Sequence, residues 1–131
     1  MSELPGEPRD HMDALMRLLL AYARRAVSAG EGFAPLGASM APDGELETAP
    51  DDEIAAVRQA MRSRAERGEL LATGICSDVV LDQEGFPKAI RVELEHRDAD
   101  PVTCLLPYRF DLDRAAWGEL AAMPGERRTW D

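Results

Sequence analysis

The sequence is poor in lysine, aromatic residues and cysteine, and it contains no asparagine. Its longest strongly apolar run is Leu18–Ala21, far shorter than the roughly 20 residues that a membrane-spanning helix needs. The first ten residues are acidic and carry two prolines. A secretory signal has a basic start and an apolar core, so none is predicted. We therefore expect a cytoplasmic protein without a membrane segment.

The two cysteines, Cys76 and Cys104, do not form a C-x-x-C pair. Neither a thiol–disulfide redox motif nor a zinc knuckle is therefore predicted, and both thiols are expected to be buried and reduced. The sequence also lacks the signatures of phosphate loops, serine nucleophile elbows, zinc proteases and calcium loops. It predicts no catalytic residue, no metal site and no cofactor.

Acidic residues outnumber basic ones by 25 to 15, which gives the 131-residue chain a formal charge of −10. Such a surface repels nucleic acid and favours a basic partner. Lys88 is the only lysine beside 14 arginines. We interpret this imbalance as the coding bias of a GC-rich bacterial genome, while arginine forks that recognise an anion remain the alternative.

Apolar periodicity predicts a first helix that begins at Asp10 and ends at Gly30. Residues 1–9 are predicted to be a flexible tail, and residues 10–131 a single domain. The predicted buried face of this helix has apolar residues at three- and four-residue spacing: Met12, Leu15, Met16, Leu19, Ala23, Ala26 and Val27.

A β-hairpin and a second helix are predicted to follow. The hairpin strands are Phe33–Met40 and Glu45–Thr48, joined by a turn at Pro42–Gly44. Pro35 favours either an edge position or an irregular course for the first of these strands. The second helix starts after Pro50, where carboxylates suit a helix N-terminus, and it ends at Gly68.

The last half of the chain predicts a β-meander with strands Leu70–Leu81, Ala89–Arg97 and Val102–Phe110. The last strand is expected to end or bend at Pro107, and Asp113–Met123 is predicted to be a short helix. The middle strand alternates strictly, which predicts one buried face and one solvent-facing polar face. The polar face comprises Arg91, Glu93, Glu95 and Arg97.

The predicted element order is α-β-β-α-β-β-β, with an optional last helix. It indicates an α+β fold in which helices pack on an antiparallel sheet. The order is similar to that of profilin-like and roadblock domains, although this analogy concerns the fold and not the function.

Two stretches carry a resemblance to a known group of sequences. They are Gly32–Glu45, which reads GFAPLGASMAPDGE, and Val92–Arg97, which reads VELEHR and is followed by Leu106-Pro107-Tyr108. In these stretches the chain resembles a group of small bacterial proteins that have no assigned activity. The resemblance implies a single small domain and no particular chemistry.

The densest ionisable cluster comprises Glu93, Glu95, His96, Asp98 and Asp100. A metal site needs at least three ligands that converge on one point. Strand alternation places His96 on the face opposite the two glutamates, while the aspartates fall in a turn. We therefore favour a solvated strand face over a metal or acid–base site.

The two histidines are assigned different environments. His96 is expected at the core edge with a hydrogen-bonded neighbour, because its strand parity places it beside Leu94. His11 is expected to be exposed in the first helical turn.

The C-terminal residues Arg127, Arg128 and Trp130 have the composition of an interface hot spot. We favour the interpretation that this segment packs back on the domain and that Trp130 covers the sheet, with an interface hot spot as the alternative.

Our leading functional hypothesis is a non-enzymatic module that binds a protein partner or itself, with Phe33–Met40 as an edge that pairs across a dimer. The alternative is a small-molecule binder or enzyme with a pocket between the sheet and the first helix. Its polar groups would be Arg91, His96, Arg97 and Tyr108. The candidate binding residues for both hypotheses lie on the last strands and the tail: Arg91, Glu93, Glu95, His96, Arg97, Tyr108, Arg127, Arg128 and Trp130.

Overall fold

A computed structural model describes residues 6–30, 32–50 and 53–130. These residues confirm the predicted α+β class, a single domain with helices packed on an antiparallel sheet. The elements in chain order are α1 (Pro8–Ser28), β1 (Leu36–Met40), β2 (Leu46–Pro50), α2 (Ile54–Glu66), β3 (Ala72–Gln83), β4 (Phe86–His96), β5 (Ala99–Asp111), β6 (Arg114–Trp117) and β7 (Ala121–Pro124).

The strands form one sheet in the order β2-β1-β3-β4-β5-β6, and β7 also pairs with β5. The outer side of β5 is shared: Val102–Leu105 pairs with β7 and Tyr108–Asp111 pairs with β6. Pro107 lies in the gap between the two, where its carbonyl accepts the Gly118 N–H at 2.8 Å. Its missing N–H faces the same outer side, so the strand continues through Pro107 instead of ending there.

Helix α1 begins at Pro8, two residues before the predicted start. The Glu7 N–H donates to Asp10 Oδ2 at 3.2 Å, which satisfies a backbone donor at the helix start. Leu15 and Leu19 are fully buried and lie against Gly74 of β3. This contact defines the α1 face of the sheet, where the predicted apolar stripe of the helix forms the core.

Helix α2 packs on the opposite face of the sheet, which we call the α2 face. It lies over β1 and β3. Gly37 of β1 makes room for it, because a Cβ atom there would lie 2.6 Å from Val57 Cγ1 and 2.7 Å from Met61 Cε. Ile75 and Leu70 complete a second, smaller core under this helix.

The predicted edge position of the Phe33–Met40 strand is wrong. β1 lies between β2 and β3, and all five of its residues are buried. Pro35 immediately precedes the strand, so its missing N–H falls outside the ladder that begins at Leu36. The edge strand is β2, and the proposed pairing of β1 across a dimer has no free edge to use.

The predicted helix at Asp113–Met123 is also wrong. The segment forms β6 and β7, which extend the sheet along β5. The outer N–H and C=O groups of a 13-residue strand need partners, and this tertiary requirement overrides the helical spacing of the apolar residues. Neither described helix is long and apolar enough to cross a bilayer.

Candidate functional site

Glu95 holds the C-terminal tail (residues 125–130) against the α2 face. Its Oε1 accepts the Arg128 N–H and its Oε2 accepts the Thr129 N–H, each at 2.8 Å. The Thr129 hydroxyl also lies 3.3 Å from the hydroxyl of Thr73, and Trp130 packs against the core under α2. Glu95 is therefore buried, and both of its carboxylate oxygens accept backbone hydrogen bonds. The prediction that it lies on a solvated strand face is wrong.

Glu93, two residues earlier on the same face, is surrounded by three arginines. Arg58 of α2 donates Nη2–H to its Oε1 at 2.8 Å. Arg91 Nε lies 3.1 Å from Oε1, and Arg128 Nε of the tail lies 3.7 Å from Oε2. We call Arg58, Arg91 and Arg128 the arginine cluster. The predicted solvent-facing polar face of β4 is thus wrong at Glu93 and Glu95, because α2 and the tail cover it.

A cavity of about 170 Å³ lies beside the arginine cluster. Its polar groups come from Arg91, Glu93, Thr103, Glu126 and Arg128, and residues 123–125 close its other side. Thr103 and Glu93 are directly opposite each other on β5 and β4. The cavity therefore lies between the sheet and the start of the tail.

The two histidines meet on the α1 face. His11 Nδ1 lies 3.0 Å from His96 Nε2, and the Asp98 N–H donates to His96 Nδ1 at 2.9 Å. Since His96 Nδ1 accepts, its Nε2–H is the donor to His11. His96 is a buried, hydrogen-bonded histidine as predicted, whereas the predicted exposure of His11 is wrong because the ring joins the start of α1 to the end of β4.

A second polar network, on the α1 face, links three strands. Asp78 of β3 accepts the Tyr108 hydroxyl at 2.7 Å and Lys88 Nζ at 2.8 Å. Burial raises the pKa of Tyr108, and its hydrogen bond to Asp78 raises it further. The hydrogen bond to Asp78 also raises the pKa of Lys88. The network therefore holds a neutral phenol and a charged lysine together.

Both cysteines are buried. Burial raises the pKa of the Cys76 thiol to about 11. It also raises the pKa of Cys104, with a smaller contribution from the negative charge of Asp13. A nucleophilic cysteine needs a lowered pKa, so neither thiol is suited to catalysis.

These groups predict a loss of stability at alkaline pH. The Cys76 thiol ionises near pH 9.0 when unfolded and near 11 when folded, so the folded state binds more protons between these values. The free energy of unfolding should then fall by about 1.4 kcal/mol per pH unit for this group alone. The raised pKa values of Tyr108 and Lys88 act in the same direction. Urea unfolding from pH 8 to 11 measures the decline, and Cys76→Ala should make it shallower. A constant free energy up to pH 11 would contradict this assignment.

The structure brings together only part of the predicted binding set. Arg91, Glu93, Glu95 and Arg128 meet on the α2 face, and Trp130 lies on the neighbouring core. The C-terminal tail thus packs back on the domain, which is the interpretation that the sequence favoured over an interface hot spot. Its Arg127 donates Nη2–H to the Ala99 carbonyl at 2.7 Å.

The polar groups of the alternative pocket do not meet. His96 and Tyr108 lie at opposite ends of the β4–β5 ladder, since Tyr108 pairs with Lys88. The eight residue steps from Lys88 to His96 span roughly 27 Å. Arg91 faces the other side of the sheet, and Arg97 pairs with Asp98 in the turn. A cavity of about 350 Å³ does lie between α1 and the sheet. Its lining is largely apolar, and its charged groups, Arg9 and Asp13, come from α1. The other lining residues are Met12, Met16, Leu94, Val102, Cys104, Leu120 and Ala122.

An open groove lies on the α2 face, where neither α2 nor the tail covers β5. It has a volume of about 460 Å³. Its lining combines strand residues with the segment around β7: Leu81, Phe86, Leu105, Pro107, Glu119, Leu120, Ala121 and Met123. We call these residues the open groove. The sequence did not indicate this groove, because the helix predicted at Asp113–Met123 would bury Leu120 and Met123.

Among the described residues, no group of histidine, cysteine and carboxylate side chains is placed to hold a metal ion. Comparison of the chain with protein-family models, curated proteins and solved structures gives no significant match. The site must therefore be interpreted from its own geometry.

Proposed function

We propose that the chain is a small, non-catalytic cytoplasmic module that binds a protein partner through the open groove. The observation that carries this proposal is the uncovered, apolar part of the α2 face beside β7. An exposed apolar surface rimmed by polar residues is typical of a protein-binding site.

Exposed apolar side chains concentrate at the same edge of the sheet. Six large apolar side chains are exposed among the described residues, and four of them belong to the segment from β5 to β7. One of them, Leu112, is 98% exposed and has a left-handed backbone with φ of 60°. A non-glycine residue in this conformation costs about 1 kcal/mol. The four residues are Phe110, Leu112, Leu120 and Met123.

The charge of the molecule favours a basic partner over a second copy. Two chains that each carry a charge of −10 repel one another. Glu119 lines the groove itself, and Glu84 and Asp113 are exposed in the turns at the end of β3 and β5. Arg109 also borders the groove, with its guanidinium 5.0 Å from the Phe86 ring, but it is paired with Asp111 at 3.1 Å. The partner that fits is therefore an apolar segment flanked by lysine or arginine, which the net negative charge of the chain attracts.

Comparative capture from the source lysate tests this proposal. Leu120→Glu and Met123→Glu place a charge in the groove and should lower the recovery of the partner by about tenfold or more. Leu46→Glu is the matched control, because Leu46 is 42% exposed on the opposite edge and Leu120 is 46% exposed. Thermal unfolding verifies that each variant is folded. Recovery of the partner by all three variants at the wild-type level would contradict binding at the groove. Capture of copies of this chain alone would indicate self-association and contradict a basic partner.

The cavity between α1 and the sheet favours a second candidate function, the binding of a small apolar molecule. Its lining includes two methionines and a cysteine, whose polarisable sulfur atoms adapt to varied ligands. A ligand present at 100 times its Kd would stabilise the fold by about 2.7 kcal/mol. Thermal unfolding with a panel of aliphatic and aromatic ligands would reveal such binding, and no shift across the panel would count against this candidate.

A further inference from the structure

The outer side of β7 is a free edge of the sheet. Within the described part of the chain, β7 pairs only with β5, and all four of its residues are exposed. The Gly125 N–H donates to the Pro101 carbonyl of β5 at 3.0 Å. Because hydrogen-bonded and non-hydrogen-bonded pairs alternate along an antiparallel ladder, the N–H and C=O of Ala122 point away from β5. Pro124 has no N–H, so Ala122 supplies the outward donor of β7.

Cavities flank this edge on both faces of the sheet. The open groove lies on the α2 face, and the cavity of about 350 Å³ lies between α1 and the sheet. Leu120, directly before β7, lines both of them. Ala121 and Met123 line the groove, whereas Ala122 lines the cavity between α1 and the sheet. Successive residues of β7 therefore border opposite cavities, and the small side chains of the two alanines leave space in both.

A free edge between two cavities suits a partner that binds as a strand. Unpaired N–H and C=O groups at a sheet edge are a template for another chain. In strand addition, main-chain hydrogen bonds supply affinity and pockets for alternate side chains supply specificity. We infer that the partner contributes an extended segment that pairs with β7 and places its apolar side chains alternately in the open groove and in the cavity between α1 and the sheet. This inference rests on the proposed function and specifies how the partner binds.

The charge of the chain selects the occupant of this edge. Glu119 lines the groove and Asp13 lines the cavity between α1 and the sheet, where Arg9 is also present. The attraction therefore comes from the net charge of −10, which a second copy of the chain would oppose. The occupant is accordingly a short extended segment with a few consecutive apolar residues between lysines or arginines.

A synthetic peptide with the sequence KKVLVLKK, blocked at both ends, is the probe. It is titrated into the full chain and followed by ¹H–¹⁵N NMR. We expect saturable shifts at Leu120, Ala121 and Ala122, and slower solvent exchange of the Ala122 amide, because a backbone carbonyl of the peptide now pairs with it. The same peptide with N-methyl groups on its four apolar residues keeps the side chains and the charges but cannot pair as a strand. Its affinity should be lower by about tenfold or more.

Substitution of the edge residue tests the same pairing from the side of the protein. Ala122→Pro removes the outward donor without removing a hydrogen bond to β5, and it should weaken peptide binding by about tenfold. Thr48→Pro on the opposite edge strand β2 is the matched control. The Ala41 N–H donates to the Glu45 carbonyl at 2.9 Å, so the same alternation points the Thr48 N–H outward. This variant should bind the peptide as the wild-type chain does, and thermal unfolding verifies that both variants are folded.

The outcomes separate strand addition from simple groove binding. Equal affinity for the two peptides, lost in Leu120→Glu, would overturn strand addition and leave the proposed groove binding intact. The absence of saturable shifts with the unmodified peptide would overturn the inference, whereas the proposed function is tested independently by capture from the lysate. Shifts at β7 that grow with protein concentration in the absence of peptide would assign the edge to a second copy and would overturn the inference as well.

Discussion

Replacement of Glu95 by alanine is expected to detach the C-terminal tail and to destabilise the domain by about 3 kcal/mol. The carboxylate accepts two backbone N–H groups, those of Arg128 and Thr129. Its removal leaves both donors without their acceptor at a buried position, and an unsatisfied buried donor costs more than the net value of the bond. Trp130 then loses its contact with the core under α2.

Urea unfolding and tryptophan fluorescence measure this effect. In a Trp117→Phe background the remaining emission comes from Trp130, because the chain has two tryptophans, and it should shift to the red in the alanine variant. Glu95→Gln retains one acceptor and should give an intermediate loss. Glu126→Ala is the matched control, since this exposed carboxylate makes only a surface ion pair within the tail. An alanine variant with native stability and unshifted emission would show that Glu95 does not hold the tail.

The second large effect is expected at Gly74, where α1 contacts the sheet most closely. A Cβ atom there would lie 2.7 Å from Leu19 Cδ1, 3.1 Å from Leu94 Cδ2 and 3.6 Å from Leu15 Cβ. Gly74→Ala therefore overpacks the core and should destabilise the domain by about 2 kcal/mol. Urea unfolding gives the value directly.

Gly32→Ala is the matched control for this substitution. At Gly32 an added Cβ would meet only Asp78 Oδ2, at 3.9 Å, so little change is expected. Because Leu19 is the nearest neighbour of the added methyl group, Leu19→Ala should be less damaging in the Gly74→Ala background than alone. Additive losses would indicate that the clash with Leu19 is not the cause.

The local elements of the first two-thirds of the chain could be predicted because sequence pattern and packing agree there. The stripe of α1 is buried as its spacing indicates, and the alternation of β4 correctly separates its two faces. The environment of those faces was not predictable. Charged residues at alternate positions, such as Arg91, Glu93 and Glu95, are typical of a solvated strand face. Glu95 is buried only because α2 and the tail pack over this face, which the local sequence does not indicate.

The candidate site was predictable only in part for the same reason. The sequence pointed to Arg91, Glu93, Arg128 and Trp130, but it could not show that residues 35 or more positions apart meet around one carboxylate. The open groove was missed altogether. Leu120 and Met123 have helix-compatible spacing. Met123 belongs to β7 and Leu120 directly precedes it, because β7 pairs with the outer side of β5, and no local pattern reveals that pairing.

Photo-cross-linking from the open groove tests the proposed function most directly. A photoreactive phenylalanine analogue at position 120 should cross-link to another protein in the source lysate, at a segment that carries apolar and basic residues. The same analogue at position 46, on the opposite edge of the sheet, should give no such product. Cross-links of equal yield from both positions, or only to copies of this chain, would contradict a basic partner bound at the groove.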